Sequence, residues 1–137
     1  MLRKLFVPLA VLCLVLAGAA SVQAAKANQA PTDVTIDDCA AKRAPVAFPH
    51  GKHTGVTACD TCHHTQKGLT AKSADEVPTC SSCHKAPEKA ETPNCTDMGM
   101  KKNMYHIDCV GCHKAELAKD ASKKMPTKCE ECHPKAG

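Results

Sequence analysis

Cys59-Asp60-Thr61-Cys62-His63-His64 is the stretch on which the reading of this chain turns. Its first five residues have the Cys-x-x-Cys-His spacing of a covalent haem-attachment site. The chemistry requires that spacing. Two thiols add across the two vinyl groups of one haem, and the next residue, His63, lies under the iron as an axial ligand. His64 adds a second constraint. Neighbouring side chains point in different directions on a helix or a strand, so His63 and His64 cannot hold opposite faces of one iron. Either His64 is a surface histidine, or it ligates a second haem packed against the first.

The pattern recurs three times downstream, as Cys80-Ser81-Ser82-Cys83-His84, Cys109-Val110-Gly111-Cys112-His113 and Cys129-Glu130-Glu131-Cys132-His133. Histidine makes up 8 of 137 residues, so finding it by chance behind all four cysteine pairs has odds of roughly 1 in 100,000, which answers the false-positive risk of a motif argument. Zinc knuckles account for paired cysteines but not for a histidine at every fifth position. A disulfide framework explains neither the histidines nor the uniform two-residue gap. Covalent haem at all four sites is the expectation, with Cys59, Cys62, Cys80, Cys83, Cys109, Cys112, Cys129 and Cys132 as the attachment residues.

Four histidines are then proximal ligands: His63, His84, His113 and His133. The other half of the set is His50, His53, His64 and His106. Four irons need four sixth ligands, and the match of four to four favours bis-histidine ligation throughout. Methionine is the competing ligand and raises the potential of other cytochromes c; Met98, Met100, Met104 and Met125 are present but not needed.

The start of the chain reads as an export signal. Arg3 and Lys4 precede an apolar, uncharged run from Leu5 to Ala20, and Val22-Gln23-Ala24 suits cleavage after Ala24. The run is shorter than the ~20 residues of a spanning helix and is interrupted by Pro8. Cys13 lies inside it and leaves with it. The chain is thus expected to divide into a signal peptide over 1–24 and one cofactor-bearing domain over 25–137, located in the periplasm. Without Arg3 and Lys4, 16 of the 18 basic residues remain against 14 acidic ones, a formal charge of +2. That balance, with Phe48 and Tyr105 as the remaining aromatics, does not point to nucleic acid.

After Ala24, Leu, Ile, Val and Phe number only ten, far below the roughly 20% composition under which chains tend to be disordered. Burial of side chains cannot offset the conformational entropy of such a chain. Bound macrocycles can, so the haems are expected to form the core and the chain to wrap them. The fold expected is mostly irregular, with short α-helices and a small N-terminal two-stranded ribbon from Asp33–Asp37 and Pro45–Phe48. Ala25–Thr32 reads as a flexible leader. Helices are expected around each motif and over Lys114–Lys124, kept short by Pro78, Pro87, Pro93, Pro126 and Pro134. Cys39 and Cys95 remain. In an exported protein the leftover pair most simply forms a disulfide, the alternative being two free thiols.

These residues resemble the class III cytochromes c, the small tetrahaem periplasmic cytochromes of sulfate-reducing and related anaerobic bacteria. The resemblance runs from Val46 to the C-terminus. It is carried by Phe48-Pro49-His50-Gly51-Lys52-His53, Cys59–His64, the three further haem sites and His106. Every haem motif here has a two-residue gap, as in a subset of that family. The stretch Pro126–His133 is also similar to three-haem relatives, which lack the second haem. The resemblance implies four haems c and a ligand pairing: His63 with His50, His84 with His64, His113 with His53, and His133 with His106. It implies a low-potential electron carrier rather than an enzyme, acting as a monomer.

The partners it implies are a hydrogenase, a formate dehydrogenase or a membrane-bound cytochrome complex. They would dock near a lysine-rich C-terminal region comprising Lys114, Lys119, Lys123, Lys124, Lys128 and Lys135. The alternative role is a terminal reductase, for instance of metal ions, acting through exposed haem edges.

Overall fold

The computed structural model describes residues 24–39 and 43–134. Residues 1–23 of the expected signal peptide, Cys13 among them, and Lys135 lie outside the described residues. Among the described residues, two small antiparallel sheets and five short α-helices punctuate a largely irregular path. The ribbon expected at the N-terminus is present: β2 (Val34–Ile36) pairs with β3 (Val46–Phe48), Val34 opposite Phe48 and Ile36 opposite Val46. Those four side chains are half-buried and the central Thr35 and Ala47 exposed, the period-2 pattern of a ribbon with one covered face.

The leader does not behave as expected. Ala25–Lys26 forms β1 and pairs with β4 (Glu76–Val77). A 3₁₀ turn over Ala27–Gln29 follows, with the Ala27 and Asn28 amides donating to the carbonyls of Asp75 and Ser73 at 3.0 and 2.9 Å. Ala27 is one of the few buried apolar residues. The segment's small side chains, which suggested flexibility, are what let its backbone lie close against residues 73–77.

Three haem motifs are single helical turns: α2 (Cys59–Cys62), α3 (Cys80–His84) and α5 (Cys129–Cys132). Residues three and four apart share a helix face, so one turn puts both cysteines and the following histidine on one side. In α2 and α5 the histidine amide closes the turn, donating to the first cysteine's carbonyl at 2.9 and 2.7 Å. The third motif lies within a longer helix. A π-helical turn over His106–Val110 leads into α4 (Gly111–Lys119). A π turn adds a residue to the helical path and so changes the direction in which His106 points relative to His113.

The helix expected over Lys114–Lys124 stops at Lys119. Asp120 turns extended, with φ −149° and ψ 99°, and its carboxylate accepts from the Ser122 amide at 3.0 Å and hydroxyl at 2.6 Å. A local Asx turn of this kind offers the backbone an alternative to the helix. The remaining helix, α1 (His50–Thr54), follows Pro49 directly. Gly51 lies against Thr32, whose carbonyl accepts its amide at 2.7 Å; a Cβ there would meet the Thr32 methyl at 3.0 Å.

Among the described residues the buried apolar side chains are Ala27, Leu69, Cys95, Met104 and Val110, and no side chain is fully buried. Val56 is 80% exposed. Side chains alone therefore do not make a core. The cross-link that does hold distant segments together is a disulfide between Cys39 and Cys95, with Cα atoms 5.7 Å apart.

Candidate functional site

The short elements bring the eight histidines together in four pairs. His50, at the start of α1, faces His63, at the end of α2, with ring centroids 6.4 Å apart. His64 faces His84 of α3 at 6.0 Å. His53 of α1 faces His113 of α4 at 6.2 Å. His106 of the π turn faces His133, after α5, at 6.5 Å. The neighbours His63 and His64 thus turn to different partners, as do His50 and His53 on α1. Phe48 closes on this helix, 4.4 Å from His53 and 5.9 Å from His50 by ring centroid.

Five of the eight rings are held by backbone carbonyls through Nδ1: His50 by Pro31 at 2.9 Å, His53 by Pro49 at 3.0 Å, His84 by Pro93 at 2.7 Å, His113 by Pro126 at 2.7 Å and His133 by Ala44 at 2.8 Å. A carbonyl can only accept, so Nδ1 carries the proton and Nε2 keeps its lone pair. This is the outer-sphere arrangement that orients metal-ligating histidines and raises their basicity. Four of the five acceptors are proline carbonyls. Proline's fixed φ presents the carbonyl with less chain freedom to lose. In the sequence Pro93 and Pro126 read as helix limits; their carbonyls add a role that sequence position alone did not indicate. His106 differs, since its Nδ1 is buried without a partner among the described residues.

The eight motif cysteines are free thiols, half-buried or exposed. Their electrostatics show that the four motifs converge. Burial pushes the Cys109 thiol up to about 12, with Asp108, Cys62, Cys132 and Cys80 adding to the shift. Burial likewise raises Cys62, whose neighbours include Asp108, Cys80 and Cys112. Burial also raises Cys80, against a hydrogen bond from Tyr105 that lowers it. Cys109 and Cys62 each feel cysteines of other motifs, and Cys80 feels Asp108 of the third. His63 is lowered, first by burial and then by His50 and His64. Asp108 and Tyr105 therefore belong to the site, although neither has a motif that would single it out in the sequence.

Covalent haem fits these residues. Paired thiols three residues apart share a helix face, an imidazole follows each pair, and a second imidazole stands opposite with Nε2 available in the carbonyl-held rings. Among the described residues no group of three or more His, Cys, Asp or Glu side chains is arranged to hold a bare metal ion.

The class III cytochrome c family model matches residues 22–133. Cytochrome c3 of Desulfovibrio desulfuricans is 38% identical over 109 residues, covering 77% of this chain and 97% of the relative. Cytochrome c3 of Maridesulfovibrio salexigens is 38% identical over 114 residues, covering 77% of this chain and 96% of the relative. Among solved structures, the di-tetraheme cytochrome c3 of Desulfovibrio gigas is similar in fold, with a TM-score of 0.50 and 24% identity over 78% of this chain and 98% of that one. The four attachment motifs, the fold of short helices and small ribbons, and these matches place the chain in the class III cytochrome c family, as a multihaem electron-transfer cytochrome carrying four haems c.

Proposed function

We propose that this chain is a periplasmic, low-potential electron carrier with bis-histidine ligation at all four irons. It would be exported by a signal peptide over residues 1–24 and function as the domain 25–137. Numbering the haems by motif, haem one is held by Cys59, Cys62, His63 and His50, and haem two by Cys80, Cys83, His84 and His64. Haem three is held by Cys109, Cys112, His113 and His53, and haem four by Cys129, Cys132, His133 and His106. The observation that carries this reading is the set of four facing imidazole pairs, with centroids 6.0 to 6.5 Å apart. Imidazole nitrogens lie about 2 Å from a metal they ligate, so two rings on opposite sides of one ion have centroids about 6 Å apart.

Bound haem c supplies a one-electron ferric/ferrous couple. The protein's part is to hold and tune it. Nδ1–carbonyl bonds keep Nε2 aimed at the iron and make the imidazole a stronger donor, which together with the absence of a methionine ligand favours low potential. With both histidines of each pair committed to a haem, no open site would be left there for a substrate, which supports a carrier rather than an enzyme. The adjacent ligands His63 and His64 keep haems one and two close enough for exchange between them.

The partner is an acidic redox protein, with a hydrogenase, a formate dehydrogenase or a membrane-bound cytochrome complex as the class, docking near haem four. The lysine patch is smaller than its sequence suggests. Lys119 and Lys123 both pair with Glu116 at 2.6 Å. Lys114, Lys124 and Lys128 make no ion pair among the described residues, and they form the docking charge of this reading.

The test is a visible spectrum with haem quantification on the exported protein, repeated on the reduced protein under carbon monoxide. Four low-spin haems per chain and no carbon monoxide uptake are expected. Any other haem number, or uptake by the native protein, overturns the reading.

A further inference from the structure

Asn103 is a buried polar residue, 7% exposed, that neither the attachment motifs nor the histidine pairs use. Its side-chain amide is fully engaged. Nδ2 donates to the carbonyls of Cys95 at 2.7 Å and Asp97 at 2.8 Å. Oδ1 accepts from the amides of Tyr105 at 2.9 Å and His106 at 3.4 Å. Carbonyls only accept and amide N–H groups only donate, so this network admits one orientation of the side chain.

The two ends of the amide reach two different haem sites. The Oδ1 end caps the helical stretch that begins at Met104 and carries His106. The Nδ2 end holds Cys95, which is 3% exposed. The Cys95 amide donates to the His84 carbonyl at 2.9 Å, and two residues earlier the Pro93 carbonyl accepts from His84 Nδ1 at 2.7 Å. Residues Pro93–Cys95 are therefore a strap across His84. The strap is anchored from its far side by the disulfide to Cys39. Asp38, beside Cys39, accepts from Ser81 Oγ of α3 at 2.5 Å. His106 has the greater need of such a hold, because its own Nδ1 lacks the carbonyl that orients five of the other rings.

We propose that Asn103 is a positioning residue shared by haems two and four: one end of its amide sets His106 opposite His133, and the other sets His84 opposite His64. The Cys39–Cys95 disulfide completes the His84 side of the device. Losing the amide would strand two carbonyls and two N–H groups in a buried place, an arrangement that backbone resists strongly. The inference rests on the bis-histidine reading.

The experiment uses the exported holoprotein, an NMR-resolved redox titration of the four individual haems, and carbon monoxide binding to the reduced protein. Carbon monoxide uptake by the native protein would overturn the bis-histidine reading itself, before any variant is considered. Given none, Asn103→Ala is expected to shift the midpoints of haems two and four and leave haems one and three where they are. Asn103→Ser separates the two ends, since a serine caps a helix well but is too short to reach the Cys95 and Asp97 carbonyls. It is expected to move haem two and spare haem four. Cys39→Ser with Cys95→Ser should do the same. Unchanged midpoints, or equal shifts in all four haems, would overturn the shared role. If Asn103→Ala does not fold, Asn103→Ser decides: a haem-two midpoint that stays put, or a haem-four midpoint that moves as far, overturns it.

Discussion

Each imidazole here is set by very few atoms. For five of them the second nitrogen is tied to a backbone carbonyl, while the buried Nδ1 of His106 has no partner among the described residues. Replacing His106 by another ligand therefore breaks no hydrogen bond of its Nδ1 among the described residues. His106→Met is expected to raise the midpoint of one haem out of four, because a thioether ligand favours the ferrous state; a spectroscopic redox titration reads this directly. Four unshifted midpoints would mean that His106 is not a ligand. At the same scale, Glu116 is clamped by Lys119 and Lys123, whose hydrogen bonds and charges hold its carboxyl down to about 2. A depressed carboxylate contributes stability that is present above its ordinary value and is lost as pH falls through the folded one. Glu116 should therefore remain ionised through pH 4 and protonate only near pH 2. Added salt should bring its titration back toward the ordinary carboxylate range, since exposed pairs are screened. Carboxyl NMR shifts against pH at two ionic strengths check both statements.

At the scale of elements, no helix or ribbon is long enough to be stable alone. Single helical turns are far below the roughly 12–15 residues at which isolated helices become marginal, and two-stranded ribbons are no better. Cross-links and cofactors must fix them. The Cys39–Cys95 disulfide spans 56 residues of sequence, and closing a loop of that size in the unfolded chain is worth up to about 4 kcal/mol in the chain-entropy model. Covalent haem does not shorten this loop, because each attachment bridges residues only three apart. Replacing both cysteines by serine should lower the unfolding free energy by about 2–4 kcal/mol, measured by denaturant titration of the holoprotein. An unchanged midpoint would show that the segments it joins are already held by other contacts.

The whole molecule has too little apolar side chain to close on itself, and among the described residues none is fully buried. The haems have to supply the interior, so the chain made without haem attachment should give a disordered far-ultraviolet circular dichroism spectrum. A cooperative unfolding transition in that form would contradict it. Charge also acts at this scale. In the proposed bis-histidine form each ferric haem with two ionised propionates would add about −1, so residues 25–137 with four haems would fall to roughly −2 while lysines remain concentrated near the C-terminus. Lys124→Glu with Lys128→Glu should slow electron transfer to an acidic partner and flatten its dependence on salt. The same reversal at Lys119, already paired with Glu116, should matter less. Equal rates for both, measured by stopped flow across ionic strengths, would remove the patch from the docking surface.

What the sequence determined by itself is covalent and local. Cys-x-x-Cys-His is one helical turn with its reactive groups on a single face, so four motifs were legible without tertiary information, and so was the shortage of core. Alternation over Val34–Ile36 and Val46–Phe48 marked the ribbon for the same reason. Of the contacts distant in sequence, the Cys39–Cys95 disulfide followed from the two leftover cysteines and the histidine pairing from the family resemblance alone; the others were not legible. The leader's pairing with residues 73–77 depends on a backbone approach that small side chains permit but do not announce. The end of α4 at Lys119 depends on a carboxylate choosing Ser122 over solvent. The residues alone left the partner of His64 open, and only the folded chain turns His63 to His50 and His64 to His84; that proline carbonyls hold the rings, and that Asn103 joins two sites, are likewise products of tertiary structure. They depend on directions in space, and hydrogen bonds select a direction only after the chain has brought the groups together.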